Sequence, residues 1–196
     1  MPILFANFHT AIGRCAIAWS ASCLVGVQLP EANEGNTRSR VLERFRDARE
    51  AVPPPEVASA SDALAGLLRG EQCDLSSVLL DMKSLPPFHR RVYDTARRIP
   101  FGVTATYGAV ARVADAAGAA RAVGQALARN PFPLIVPCHR VVAVGGKTGG
   151  FSAHGGATIK LRLLAIEGQA NAAQAIAAQD NPTPGLFEGP CATVRI

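Results

Sequence analysis

The sequence predicts two parts, a small α/β domain over residues 1–84 and a mostly helical domain over residues 85–170 built around a helix-turn-helix. Short apolar runs with strand character occupy residues 11–29, whereas helical spacing of apolar residues dominates beyond Pro86-Pro87. The charge balance changes at the same joint. Residues 1–84 carry eight basic and ten acidic side chains, and residues 85–170 carry eleven basic and three acidic. Residues 171–196 read as a C-terminal extension, a loose Ala/Gln-rich helix giving way to a flexible Pro/Gly tail.

Taken in order, Cys15 to Trp19 and Leu24 to Leu29 read as strands separated by the small polar turn Ser20-Ala-Ser22. Thr37 to Ala51 reads as a charged surface helix with Val41, Leu42 and Phe45 on one side, ended by Pro53-Pro-Pro55. A short helix follows from Ser61, a candidate N-cap, to Leu68, with Gly70 as its stop. Cys73 to Leu80 reads as a further strand. Pro86 opens a helix through Arg98 with Phe88, Val92 and Ala96 on one face. Thr106 caps a helix to Ala117, Gly118 breaks the chain, and Ala119 to Arg129 forms the next helix, closed by Asn130-Pro131. Helix, glycine turn, helix is the helix-turn-helix pattern, although many helical pairs share it without touching DNA. On the second helix Ala120, Val123, Gly124 and Leu127 share one face, and Arg121, Gln125 and Ala128 lie opposite. That outer face is slim, with one projecting arginine.

Bulk composition sets limits. Hydrophobic residues make up 48% and charged residues 18%, a globular balance. No run approaches the roughly 18 apolar residues of a membrane span, and the N-terminus lacks the basic start and cleavage site of a secretory signal. A cytoplasmic monomer that touches no membrane is expected. Cys15, Cys23, Cys73, Cys138 and Cys191 are odd in number and contain no CxxC pair, which argues against a disulfide framework and a zinc ribbon. Nine of the eleven cations in residues 85–170 are arginine, whose planar fork suits phosphate. A soluble basic surface accounts for the same numbers.

One segment stands out, Ile135-Val-Pro-Cys-His-Arg-Val-Val142, where a thiol and an imidazole interrupt a hydrophobic run. A thiolate is the reactive form of cysteine, and a neighbouring imidazole favours it. Adjacent side chains on an extended chain point apart, so contact requires a turn at Pro137 or a bridging water. A histidine base also needs an orienting group, and acids are scarce: between residues 85 and 170 there are only Asp94, Asp115 and Glu167. Glu167 reads as the end of a helix from Thr158, where the dipole disfavours it, which hints at a tertiary partner. By itself the Cys-His pair equally describes a buried thiol beside a structural histidine.

The combination is more specific. Tyr107-Gly108, Arg121-Ala-Val-Gly124, Asn130-Pro131, Pro137-Cys-His-Arg-Val141, Gly149-Gly-Phe-Ser152 and Leu163-Leu-Ala-Ile-Glu-Gly168 occur in this order and at these separations. Together they resemble the O6-alkylguanine-DNA alkyltransferases, or methylated-DNA–protein-cysteine S-methyltransferases, closely over residues 86–168. The N-terminal strands look like a diverged form of that family's first domain. The resemblance implies an α/β N-terminal domain followed by a winged helix-turn-helix-like DNA-binding domain. It implies irreversible, single-use transfer of methyl or small alkyl groups from O6 of guanine to the protein's own cysteine, and leaves O4 of thymine open as a substrate.

By the same resemblance Cys138 is the alkyl acceptor, His139 takes its proton through a water, and Glu167 orients the histidine. Asn130 braces the reactive turn, and Tyr107 gives a proton to the leaving guanine. Arg121 fills the gap left by the extruded base, on a DNA-facing surface with Thr106, Ala122, Gly124 and Gln125. Val141, Phe151 and Ser152 form the base pocket. Double-stranded DNA carrying the lesion is the partner, and no organic cofactor is required. Phe151 stands where the family often has tyrosine, Tyr93 where tryptophan is common, and Ala153-His154 lengthens the pocket loop. His9, Cys15, Cys23 and His89 do not match the zinc ligands of some members, so no metal is expected. Relatives that recognise alkylated DNA without reacting, winged-helix regulators and Cys-His hydrolases are the competing readings.

Overall fold

The computed structural model describes residues 1–21, 23–146 and 148–175. Strand β1 (Leu4–Thr10) pairs antiparallel with β2 (Gly13–Ser20), and β2 with β3 (Cys23–Gln28). Helix α1 (Glu34–Arg44) follows, and the two-residue strand β4 (Arg49–Glu50) then joins β1 in parallel, giving the order β3-β2-β1-β4. Every residue of β2 from Cys15 to Trp19 is buried because both sheet faces are covered. Phe5, Ala16 and Ala18 lie beneath Val41 of α1. Cys15, Ile17 and Trp19 face the opposite way, into the main core.

Several element boundaries differ from the sequence expectation. Strand β1 was not foreseen, since Asn7 and His9 interrupt its apolar run; its register with β2 holds it. Helix α1 starts and ends earlier than Thr37–Ala51, because the Asn33 side chain accepts from the Asn36 amide at 2.9 Å and Phe45 ends the helix. The prolines at 53–55 start a helix instead of ending one, with Pro55 as first residue of α2 (Pro55–Leu67). Ser61 therefore sits inside α2, its hydroxyl donating to the Val57 carbonyl at 3.0 Å. Cys73 to Leu80 is no strand. It makes one bridge, Leu80 to Leu24 of β3, and Arg97 Nη2 donates to the carbonyls of Leu75, Ser76 and Val78 to hold it in place.

Beyond Pro86 come α3 (Pro87–Arg97), the short strand β5 (Ala105–Thr106), α4 (Tyr107–Val113) and α5 (Ala120–Ala128). Helix α4 ends before the expected Ala117, and Asp115 and Gly118, both with positive φ, shape the turn to α5. A single turn of 3₁₀ helix (Cys138–Arg140) leads into strand β6 (Val141–Val142), which pairs parallel with β5. That small ladder matters for function, because it sets the start of α4 beside the residues that follow Cys138. Helix α6 (Gly156–Ala175) runs past Glu167, so that residue is mid-helix and not a terminal acid opposing the dipole. Of the extension expected over residues 171–196, the first residues, to Ala175, belong to α6, and residues 176–196 lie outside the described residues.

One hydrophobic core links the parts on either side of residue 84, running from Ile17 and Trp19 through Leu64 and Leu67 to Val92, Tyr93, Val123 and Leu163. No helix among the described residues is long and apolar enough to cross a membrane.

Candidate active site

The site begins where α5 stops. Past its last turn the Asn130 side chain becomes a brace: its Oδ1 accepts from the Phe132 amide at 2.9 Å, and its Nδ2 donates to the Val136 carbonyl at 2.9 Å. The same Nδ2 lies 3.4 Å from Cys138 Sγ as a donor. Between them the chain doubles back through Leu134, a non-glycine residue at φ 73°. Pro137, at φ −78° and ψ 66°, then forms a tight inverse γ-turn in which the Cys138 amide donates to the Val136 carbonyl at 2.7 Å. The apolar Ile135 and Val136 are buried and anchor this turn. The 3₁₀ turn that follows sends the side chains of Cys138, His139 and Arg140 in directions about 120° apart.

His139 and Arg140 converge on Glu167. His139 Nε2 lies 2.8 Å from Glu167 Oε1, while Arg140 reaches Oε1 through Nη2 at 2.8 Å and Oε2 through Nε at 3.0 Å. The Gly102 amide donates to Oε2 at 3.0 Å, and Arg140 Nη1 donates to the Ile99 carbonyl at 2.7 Å. All three side chains are buried. Burial alone pushes the Glu167 carboxyl up, but the hydrogen bonds and charges of His139 and Arg140 prevail and hold it at about 2. It is an ionised acceptor at both oxygens, so His139 presents its Nε2–H to it. Burial lowers the His139 imidazole, Glu167 works against that, and the charges of Arg140 and Lys160 reinforce it. The ring is therefore neutral near pH 7, with its lone pair on Nδ1, which has no hydrogen-bond partner among the described residues.

Among the described residues no hydrogen bond joins the thiol to this imidazole. Burial pushes the Cys138 thiol up, opposed by the Asn130 side chain, the Lys160 charge and the amides of Cys138 and His139. The resting sulfur keeps its proton.

An open cleft of about 380 Å³ reaches Cys138 and Asn130. Phe151, Ser152 and Ala153 line one side, and Val27, Gln28 and Arg40 of the N-terminal elements line the other. His154 Nδ1 stands 3.4 Å from Glu31, tying the lengthened loop to the N-terminal part. Val141 is buried and does not line this cleft; its carbonyl accepts from Lys160 Nζ at 2.6 Å. Tyr107 opens α4, half-buried, its ring against Gly124 of α5 and its hydroxyl against Gly149 at φ 67°. A Cβ at Gly149 would meet that hydroxyl at 2.9 Å. Thr106 caps α4 by accepting from the Ala109 amide at 3.1 Å. On α5, Arg121, Gln125 and Ala128 are exposed as the sequence suggested, Ala122 and Gly124 are half-buried, and Val123, Ala126 and Leu127 face the core. Tyr93, in the position where tryptophan was noted, fixes α5 by donating to the Ala126 carbonyl at 2.8 Å.

Arg140 and Lys160 are the functional residues that sequence reasoning missed. Both were counted only among the eleven cations of residues 85–170, yet both are buried inside the site. Among the described residues no cluster of three or more His, Cys, Asp or Glu side chains is arranged to hold a metal ion.

The class that these features define is a thiol group-transfer protein on a helix-turn-helix scaffold. Residues 87–169 match the family model described as 6-O-methylguanine DNA methyltransferase, DNA binding domain. A methylated-DNA–protein-cysteine methyltransferase of Mycobacterium leprae is 48% identical over 161 residues, covering 82% of this chain and 90% of that protein. A DNA base-flipping protein of Thermus thermophilus is 40% identical over 107 residues, 55% of this chain and 70% of that protein. The crystal structure of Mycobacterium tuberculosis OGT in complex with DNA superposes with a TM-score of 0.67 at 31% identity, covering 85% of this chain and 94% of that one. The chain belongs to the methylated-DNA–protein-cysteine methyltransferase family.

Proposed function

We propose that the protein repairs DNA by moving a methyl or small alkyl group from O6 of guanine to Cys138, once per molecule. The observation that carries this reading is the relay at the cleft: a braced thiol followed by a neutral imidazole whose far nitrogen is held by an ionised, buried carboxylate. An alkylated oxygen inside a duplex is out of reach of any side chain, so the base must leave the stack, at a cost of a few kcal/mol. Helix α5, slim on its outer face and carrying Arg121, suits the minor groove, with Arg121 filling the space the base vacates. The extruded base enters the cleft against Phe151 and Ser152. His139 then takes the thiol proton through a water, sulfur forms its bond to the alkyl carbon, and the C–O6 bond breaks with its electron pair passing to guanine. Tyr107 returns a proton to the departing base. A thioether has no easy route back to a thiol, so the molecule is spent.

This reading takes the protein to act as a monomer in the cytoplasm on O6-alkylguanine in double-stranded DNA. The test is mass spectrometry after incubation with an O6-methylguanine duplex. The reading requires one methyl on the Cys138 peptide and none in the Cys138→Ser variant. Tight binding of the lesion without an adduct would instead place the chain with non-reacting damage-recognition proteins.

A further inference from the structure

We propose that Lys160 is the positioning residue that makes Tyr107 an effective proton donor to the departing guanine, an inference that rests on the alkyl-transfer reading above. Lys160 lies seven residues before Glu167 on α6, two helical turns away, so both project from the same side of the helix into the site. It is fully buried, yet among the described residues no carboxylate pairs with it. An ammonium taken out of water without a counter-charge is costly, and packing alone does not explain it. Its Nζ donates to the Val141 carbonyl at 2.6 Å and to the Tyr107 hydroxyl oxygen at 3.5 Å, and stands 5.6 Å from the centroid of that ring.

This arrangement orients the phenol. Since Lys160 is the donor to the Tyr107 oxygen, the hydroxyl hydrogen is left over for the substrate. It also supplies the charge that the chemistry lacks. Burial, and behind it the Cys138 sulfur, push the Tyr107 phenol up, which makes an unaided tyrosine a poor acid. A cation beside the oxygen stabilises the tyrosinate that forms as the proton leaves.

Cys138 gives its thiol proton to His139 and its sulfur electron pair to the alkyl carbon. The C–O6 pair passes into guanine, which receives the Tyr107 proton. The tyrosinate takes one proton from Lys160, leaving a neutral amine that solvent reprotonates after the base departs. The β5–β6 ladder keeps the donors in reach of one another, since it pairs Ala105 with Val141 and Thr106 with Val142.

The experiment is a double-mutant cycle read by single-turnover rates on an O6-methylguanine duplex. Lys160→Met and Tyr107→Phe are each expected to slow transfer by roughly 10²-fold, the lower end of what general acid catalysis supplies. The double variant should be no slower than Tyr107→Phe alone, because the lysine acts through the phenol. Lys160→Gln separates charge from hydrogen bonding: it can still donate to the Val141 carbonyl, and it is expected to be as slow as Lys160→Met. It also carries the test should Lys160→Met fail to fold. Lys160→Arg should recover part of the rate. The loss in Lys160→Gln should shrink on a guanine analogue that is a more acidic leaving group, a dependence that a purely structural role would not produce. Additive losses in the double variant, or a wild-type rate in Lys160→Gln, would overturn the inference. Failure of the wild-type protein to take up methyl at Cys138 would instead remove the reading on which it rests.

Discussion

Replacing Glu167 by Gln tests the charge relay through stability, apart from any substrate. Glutamine has the shape of the protonated carboxyl and lacks only the charge. The carboxyl stands at about 2 in the folded protein against an ordinary value of 4.5. A shift of that size corresponds to about 3 kcal/mol of folding stability at pH 7. Because the folded value is depressed, this stability is fully present above pH 4.5 and is lost as pH falls through about 2. The wild-type protein should therefore exceed Glu167→Gln by about 3 kcal/mol at pH 7, by roughly 1 kcal/mol at pH 3, and by little below that. His139 stays neutral in both proteins over the upper part of that range, so it largely cancels in the difference. In urea, with a slope of about 2 kcal/mol per molar, the pH 7 gap appears as a midpoint shift of about 1.5 M. Urea melts followed by tryptophan fluorescence, Trp19 being the single tryptophan and buried in the core, are the assay. A gap that does not change with pH, or no gap at pH 7, would refute the relay.

The remaining predictions concern the chemistry and the turn. His139 is held below its ordinary value of 6.5, so the single-turnover rate should fall to half only at a pH below 6.5, as the ring takes a proton. A rate that is already half lost at pH 6.5 would contradict a neutral, buried base. Arg121→Ala should slow repair of duplex DNA by about 10-fold or more, since filling the vacated space offsets part of the unstacking cost, while reaction with free O6-benzylguanine stays near the wild-type rate. Equal losses on both substrates would remove the proposed role of Arg121. Asn130→Ala strips the brace from the Val136 carbonyl and the Phe132 amide, so a loss of about 2 kcal/mol in a denaturant melt is expected, together with slower transfer.

Much of the site was legible in the sequence because its parts are local. The Asn130-Pro131 stop, the Pro137 turn and the adjacent Cys138 and His139 lie within one short segment, and the slim face of α5 follows from helical spacing alone. Glu167 was singled out as an acid in need of a partner, and it has one, though the inferred helix end was wrong. Arg140 and Lys160 were not legible. An arginine or lysine in a basic segment reads as surface, and only the packing of α6 against the 3₁₀ turn buries these two. Their removal from the surface also lowers the positive charge that the second part offers to phosphate. In the N-terminal part the polar interruptions at Asn7 and His9 hid β1, whose order comes from pairing with β2. The strand expected over residues 73–80 failed because its backbone groups are taken up by Arg97 and a single bridge to β3. Such partnerships across distant sequence leave no periodic signal.

The central claim is that Cys138 accepts one alkyl group and is then spent. The most direct measurement counts methyl groups removed when a large excess of O6-methylguanine duplex is incubated with a known amount of protein. The account predicts a plateau at one methyl per chain, with all of it recovered on Cys138. Continued turnover beyond that plateau, or removal of methyl without an adduct on Cys138, would contradict it.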